Sequence, residues 1–465
     1  MTVSGTTSGP ELLVVLDRSR RDPLHRQLAD GLRAAIRAGR LAPGARMPST
    51  RVLAVDLGVS RRLVVDAYGQ LTAEGFLHST QGAGTRVADV TSVSGARETS
   101  AESKHRYDVD FAPGAPDLAS FPRQAWLRAL RQGLADIESS AFGYVHPHGL
   151  PAARTAVADY LRRTRGVVAD PRRIVLCSGA TQAVALLAQC LDGAVAMEDP
   201  GFWLHRMVFR RNGIEPTPVR IDGQGLDVDA LADSQADTVL TTPAHQSPTG
   251  VVLSAARRTA LLEWVRGGGL VIEDDYDAEY RYDRAPVGAF QGVAPDRVVY
   301  LGSTSKTLAP GLRIGWMVLP ESLVAPIRTA KSLADTGSSV MDQIAFARFL
   351  ASGDYDRHLR QMRRRYLARR NTMMLALAEY LPQATVLGAA AGVHLTVRFP
   401  AGFPIDTLIQ QATAMRIRVE PLAPCYADPA TAPPGLILGY ANLPESQIIT
   451  GVQALSQAVS AVSGQ

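Results

Sequence analysis

Ser303-Thr304-Ser305-Lys306-Thr307-Leu308-Ala309-Pro310-Gly311-Leu312-Arg313-Ile314-Gly315-Trp316 places one lysine among small hydroxyl residues, with an arginine seven positions later. A lysine flanked by small and apolar neighbours is desolvated, which lowers its pKa toward a nucleophilic amine. Such an amine condenses with an aldehyde, while hydroxyls and a guanidinium suit a phosphate. Taken alone, any one lysine is more often a surface cation, so the rest of the chain has to supply the context.

Moving toward the N-terminus from this stretch, each short apolar run is followed by a polar turn. Arg173-Ile174-Val175-Leu176-Cys177, Val195-Ala196-Met197, Thr238-Val239-Leu240, Gly269-Leu270-Val271-Ile272 and Val298-Val299-Tyr300-Leu301 read as buried strands. Helical patterns over 180–191 and 254–266 lie between them. This alternation predicts a mostly parallel sheet with helices on both faces, whose ligands bind beyond the C-terminal strand ends. Long helices over 340–350 and 355–380 precede a smaller C-terminal α+β pattern around 392–399 and 436–440.

The turns carry the chemistry. Ser178-Gly179-Ala180-Thr181-Gln182 follows a strand and opens a helix, where free N–H groups and the helix dipole favour a phosphate. Glu198-Asp199-Pro200-Gly201-Phe202 offers an aromatic ring to a heteroaromatic one. Thr242-Pro243-Ala244-His245-Gln246-Ser247-Pro248-Thr249-Gly250 is a rigid polar loop. In Glu273-Asp274-Asp275-Tyr276-Asp277 an acid can hold a pyridine nitrogen protonated, and a divalent metal site or a solvated acidic loop is the other reading of the same cluster.

Residues 1–90 read differently. Apolar residues at Leu24, Leu28, Leu32 and Ile36 define one helix over 23–37. Ser49 or Thr50 caps a second helix, Gly58-Val59 turns, Ser60 caps a third, and a glycine-tipped hairpin follows over 76–87. This order predicts a winged helix-turn-helix whose third helix enters the major groove by its N-terminal end. Ser49, Arg51, Ser60, Arg61, Arg62 and Gly82 are the candidate DNA contacts. The same 90 residues hold 12 Arg and no Lys against 8 acids, so most of the chain's net charge of +5 sits there. Residues 88–108 are rich in Ser, Thr, Glu, Arg and Gly and read as a flexible linker.

At 465 residues and 46% apolar content the chain has room for several domains and a large core. It has no uncharged apolar run of about 18 residues, and residues 1–10 lack the pattern of a secretory signal. Cys177, Cys190 and Cys425 are few and scattered, fitting neither a disulfide framework nor a zinc cluster, so a reducing cytoplasm is the expected location.

The segment PLHRQLADGLRAAIRAGRLAPGARMPSTRVLAVDLGVSRRLVVDAYGQLTAEGFL resembles the GntR-type winged helix, which implies dimeric binding to an operator with two half-sites. From about 110 to 460, the ordered motifs SGATQ, EDPGF, PAHQSPTG, EDDYD and SxSKTLxPGLRxGW resemble the fold type I aminotransferases that use pyridoxal 5′-phosphate. That resemblance implies Lys306 as the Schiff-base lysine, Asp274 on the ring nitrogen, Tyr276 on the ring's phenolic oxygen and Phe202 stacked on the ring. It also implies Gly179, Ala180, Thr181, Ser303, Ser305 and Arg313 around the phosphate, with Tyr144 reaching the neighbouring subunit's phosphate. No metal is implied.

The whole chain resembles the MocR subfamily of GntR regulators, with a winged helix over 11–87, a linker over 88–108 and an aminotransferase-like domain over 109–463. The subfamily implies a head-to-tail homodimer. Two departures stand out: Ser247 where aminotransferases usually have Asn, and Ile437 where an arginine often clamps a substrate carboxylate. A bidentate clamp of that kind is worth roughly 1.5–3 kcal/mol, so little or no turnover of ordinary α-amino acids is expected unless Arg398, Arg416 or Arg418 substitutes. The expected effector is pyridoxal phosphate itself, for control of vitamin B6 synthesis or salvage genes, or a small amine forming an external aldimine. The competing readings are a working aminotransferase carrying a DNA-binding domain and a DNA-binding protein with an empty scaffold.

Overall fold

The computed structural model describes residues 14, 16–80, 84–89, 107–144, 146–282 and 287–463. Chain contacts divide it into two compact units, 1–105 and 106–465.

In the smaller unit three helices, Leu24–Arg37, Thr50–Asp56 and Arg61–Ala73, precede an antiparallel pair of strands, Leu77–Thr80 and Gly84–Val87. The helix starts follow the sequence. Ser49 Oγ accepts from Val52 N, and Ser60 Oγ accepts from Leu63 N, both at 3.3 Å, so each serine satisfies an N–H that the helix leaves orphaned. Leu28, Leu32, Ile36, Leu53, Val64, Leu71, Leu77 and Val87 close one core. Arg33 ties the first helix to the end of the third through a bidentate contact with Glu74 at 2.8 Å.

The larger unit is built on an eight-stranded sheet. Its order is Ile174–Cys177, Gly315–Val318, Val298–Ser303, Leu270–Asp274, Thr238–Thr241, Val195–Asp199, Thr217–Asp222, Gly225–Leu226. The five strands from Val298–Ser303 to Thr217–Asp222 run parallel. Gly315–Val318 runs against both of its neighbours, an inversion the expectation of a mostly parallel sheet did not include. Strand alternation sorts the core by face. Ile272 and Val299 pack with Val184, Leu187, Phe209 and Ile327, whereas Val271 and Val298 pack with Leu231, Leu261 and Val265. Both faces are therefore covered by helices, and the polar strand ends are left for the site.

A four-stranded antiparallel sheet, Thr385–Leu387, His394–Arg398, Gly435–Gly439 and Glu420–Pro421, forms the C-terminal α+β part. The 27-residue helix Asp354–Tyr380 and the final helix Glu445–Ser463 pack beside it. Val109–Asp110 pairs in parallel with Ile417–Arg418, which fastens the start of this unit to its end.

Candidate functional site

Lys306 lies in the turn after Val298–Ser303. Thr304 N and Thr304 Oγ1 both bond to Ile314 O, and Leu308 N closes on Thr304 O at 2.9 Å, so the lysine sits on a tight, internally bonded loop. Its Nζ donates to Gly114 O at 2.9 Å. A Cβ at Gly114 would overlap that ammonium, so glycine is what allows the approach. Burial lowers the Lys306 pKa, and the Asp277 and Asp274 carboxylates push against that shift.

Asp274 ends the neighbouring strand, opposite Leu301. Burial first, then the Asp275 and Asp277 carboxylates, push it up to about 7. Its Oδ1 has no hydrogen-bond partner, and Oδ2 is 3.8 Å from His205 Nδ1. Both nitrogens of the buried His205 ring are also unpartnered, and burial lowers that imidazole to about 4. Buried polar atoms are normally satisfied, so this cluster marks a place built for a further donor or acceptor. His205 was not among the sequence candidates, although it falls one helical turn after Phe202 on Trp203–Arg211. The Phe202 ring meets the His205 ring edge-on at 5.0 Å.

Tyr276 bonds to His245 Nδ1 at 3.0 Å, and the same nitrogen lies 3.0 and 3.1 Å from the two Asp277 oxygens. Both His245 and Asp277 stood in quoted motifs without a role. The remaining acids of EDDYD take separate partners. Glu273 accepts from Phe290 N and Gln291 N at 2.8 Å, and Asp275 is held by Arg165 and Tyr300. Glu198, from EDPGF, accepts from Thr241, Thr242 and Gln246 and so anchors the PAHQSPTG loop.

Gly179 adopts φ +99° as it opens Ala180–Ala188, a conformation glycine takes without strain. Its missing Cβ would stand 3.3 Å from the Arg313 guanidinium, which brings the two phosphate candidates side by side. Ser305 N donates to Ser303 Oγ at 3.3 Å on the same turn as Lys306. Gln182, two positions after Ala180, accepts from Ser178 N and donates to Asp335, which is paired with the fully buried Lys331. This brace under the turn was absent from the sequence reading. Tyr144 is fully exposed and makes no hydrogen bond or ring contact among the described residues.

Ile437 is buried with Leu422 and Cys425. The three arginines considered as replacements are engaged elsewhere or exposed: Arg416 pairs with Asp108, Arg418 with Glu420, and Arg398 faces solvent.

On the smaller unit Arg51, Arg61 and Arg62 are exposed at the starts of the second and third helices, with Arg61 Nε 3.4 Å from Thr50 Oγ1. Ser49 and Ser60 are occupied as caps. Gly82 lies outside the described residues.

Residues 108–449 match the aminotransferase class I and II family, and residues 24–87 match the bacterial regulatory proteins of the gntR family. A Rhizobium meliloti protein named "Probable rhizopine catabolism regulatory protein MocR" is 33% identical over 97% of this chain and 96% of its own length. The chain belongs to the MocR-type GntR regulators. Another relative of this MocR-type chain is the pyridoxine biosynthesis transcriptional regulator PdxR of Corynebacterium glutamicum, 30% identical over 97% of this chain and 99% of that protein. Among solved structures, the Pyrococcus horikoshii kynurenine aminotransferase aligns with a TM-score of 0.71 at 25% identity, covering 76% of this chain and 91% of that one. Thermus thermophilus LysN, complexed with N-(5′-phosphopyridoxyl)-L-leucine, aligns with a TM-score of 0.70 at 25% identity over 77% of this chain and 93% of its own.

The fold family implies pyridoxal phosphate, and the residues fit it. The orphaned Asp274 Oδ1 suits a ring N–H, the partly buried Lys306 amine suits the aldehyde, and Gly179 with Arg313 suits the phosphate.

Proposed function

We propose that this chain is a transcription regulator that reads operator DNA through its winged helix and is governed by pyridoxal phosphate held around Lys306. The observation that carries the reading is the buried Asp274 carboxylate, unpartnered at Oδ1, near the partly buried Lys306, in a chain that also carries exposed arginines at the start of the third helix of its smaller unit. When bound, the cofactor supplies an aldehyde carbonyl and an electron-accepting ring. Lys306 supplies an amine whose burial favours the neutral form. Asp274 holds the ring nitrogen's proton, and Tyr276 faces the ring's phenolic oxygen. Phe202 covers one ring face. Gly179, Ala180, Thr181, Ser303, Ser305 and Arg313 hold the phosphate by backbone N–H groups, hydroxyls and a guanidinium. Tyr144, exposed in one protomer, is free to reach a neighbouring subunit in a head-to-tail homodimer.

The effector is pyridoxal phosphate itself or a small amine, because the position of the carboxylate clamp is filled by Ile437 inside an apolar cluster. Binding regulates only if the ligand favours one arrangement of the dimer over another. The test is a DNA footprint with and without pyridoxal phosphate, then with simple amines added. A footprint indifferent to the cofactor, together with steady amino transfer to a keto acid, overturns the reading in favour of an enzyme.

Two expected outcomes sharpen this. Ile437→Arg should strengthen the response to an α-amino acid relative to its decarboxylated amine by about tenfold or more, read as a shift in cofactor absorbance. Arg61→Ala should weaken operator binding by ~1–3 kcal/mol in fluorescence anisotropy while the melting curve of the smaller unit is unchanged. Wild-type affinity in that variant would remove Arg61 from the contact surface.

A further inference from the structure

We infer that His245 is a positioning residue for the cofactor's ring oxygen: Asp277 fixes the hydrogen on its Nδ1, and that N–H turns the Tyr276 hydroxyl hydrogen toward the ring. The inference rests on the proposed placement of pyridoxal phosphate and adds a residue pair to it.

The geometry allows few alternatives. His245 and Asp277 are both almost wholly buried, and both Asp277 oxygens lie within 3.1 Å of His245 Nδ1. An ionised carboxylate only accepts, so Nδ1 carries the hydrogen. The Tyr276 oxygen, 3.0 Å from the same nitrogen, then shares that one hydrogen with Asp277 as the second acceptor of a three-centre bond. Ser247 also bonds the phenol and stabilises its ionised form, so it donates as well. With both lone pairs of the phenol oxygen engaged, its own hydrogen is the only group left to offer outward.

The pocket is shaped around the ring. A Cβ at Gly392 would overlap the His245 imidazole, and one at Gly250 would stand 2.9 Å from His245 Nε2. The loop is further pinned by the Gln246–Glu198 contact. Ordinary aminotransferase chemistry needs the tyrosine, but nothing in it requires a buried His–Asp pair behind the phenol.

The readout is the pH at which the absorbance band of the lysine-bound cofactor changes. The charged and titratable groups facing it are Asp274, Asp277, Glu198, Tyr276, His245, His394 and Lys306 itself. Asp277→Asn is nearly isosteric and removes the charge that keeps the hydrogen on Nδ1, so the hydrogen moves to Nε2 and leaves Nδ1 as an acceptor. Tyr276 then gives its hydrogen to His245 and is lost to the ring oxygen.

A ring oxygen without its donor holds the shared proton more tightly, so the midpoint should rise by about one pH unit or more. Simple removal of a negative charge near Lys306 has the opposite sign and lowers it. The expected result with the full-length, cofactor-loaded protein is therefore a rise in Asp277→Asn when Tyr276 is present and none when it is combined with Tyr276→Phe. His245→Phe, which keeps the ring volume and removes the N–H, should raise the midpoint too. A fall or no change in Asp277→Asn with Tyr276 present overturns the inference. A wild-type protein that stays colourless overturns the cofactor placement itself, a separate and visible failure.

Discussion

Lys306→Ala should leave the pyridoxal phosphate-loaded protein colourless and give sodium borohydride nothing to trap. With the cofactor bound, Lys306 would be the amine that takes its aldehyde, the linkage borohydride needs in order to fix the cofactor to the chain. Among the described residues no other lysine meets the conditions. Lys331 is the other lysine of the described residues, and its ammonium is bound by Asp335 and Ser338. Lys306 has a lowered pKa and a single carbonyl contact, which it can leave. Peptide mapping of reduced wild type should place the adduct on Lys306. Colour surviving in Lys306→Ala, or an adduct mapped elsewhere, would refute the assignment. The DNA footprint of the variant should no longer respond to the cofactor.

The second large effect is on stability. Arg165 Nε and Asp275 Oδ2 are 2.8 Å apart, both side chains are at most 3% exposed, and Tyr300 donates to the same carboxylate at 2.7 Å. Asp275→Ala leaves a buried guanidinium without its counter-charge, at a cost of ~3–5 kcal/mol. A urea titration should show an earlier midpoint for the larger unit and an unchanged one for residues 14–89. Replacing both partners, Arg165→Met with Asp275→Leu, should recover most of the loss, because the pair's own desolvation offsets much of its attraction. If the single variant unfolds like wild type, the pair is not structurally important.

Local features of the sequence were read correctly because their causes are local. Ser49 and Ser60 cap helices through contacts three residues away, and the apolar strand runs recur with helices between them. The recognition motifs sit where strands end for the same reason. What escaped depends on distant partners. Arg165 meets Asp275 across 110 positions, and Gly114 meets Lys306 across 192. His205 and His245 lacked roles because their value comes from carboxylates on another strand end. The reversed strand did leave a signal. Only residues 304–314 separate Val298–Ser303 from Gly315–Val318, too few for the crossover of a dozen or more residues that a parallel neighbour needs.

The contact between Lys306 and Gly114 has a mechanical consequence. Gly114 is seven residues past Tyr107, and the intervening Val109–Asp110 strand is the first paired element of the larger unit. Were that amine taken up by a carbonyl partner, its contact with the Gly114 oxygen would be given up. The peptide that meets the lysine therefore lies only four residues past the strand that Ile417–Arg418 holds in place.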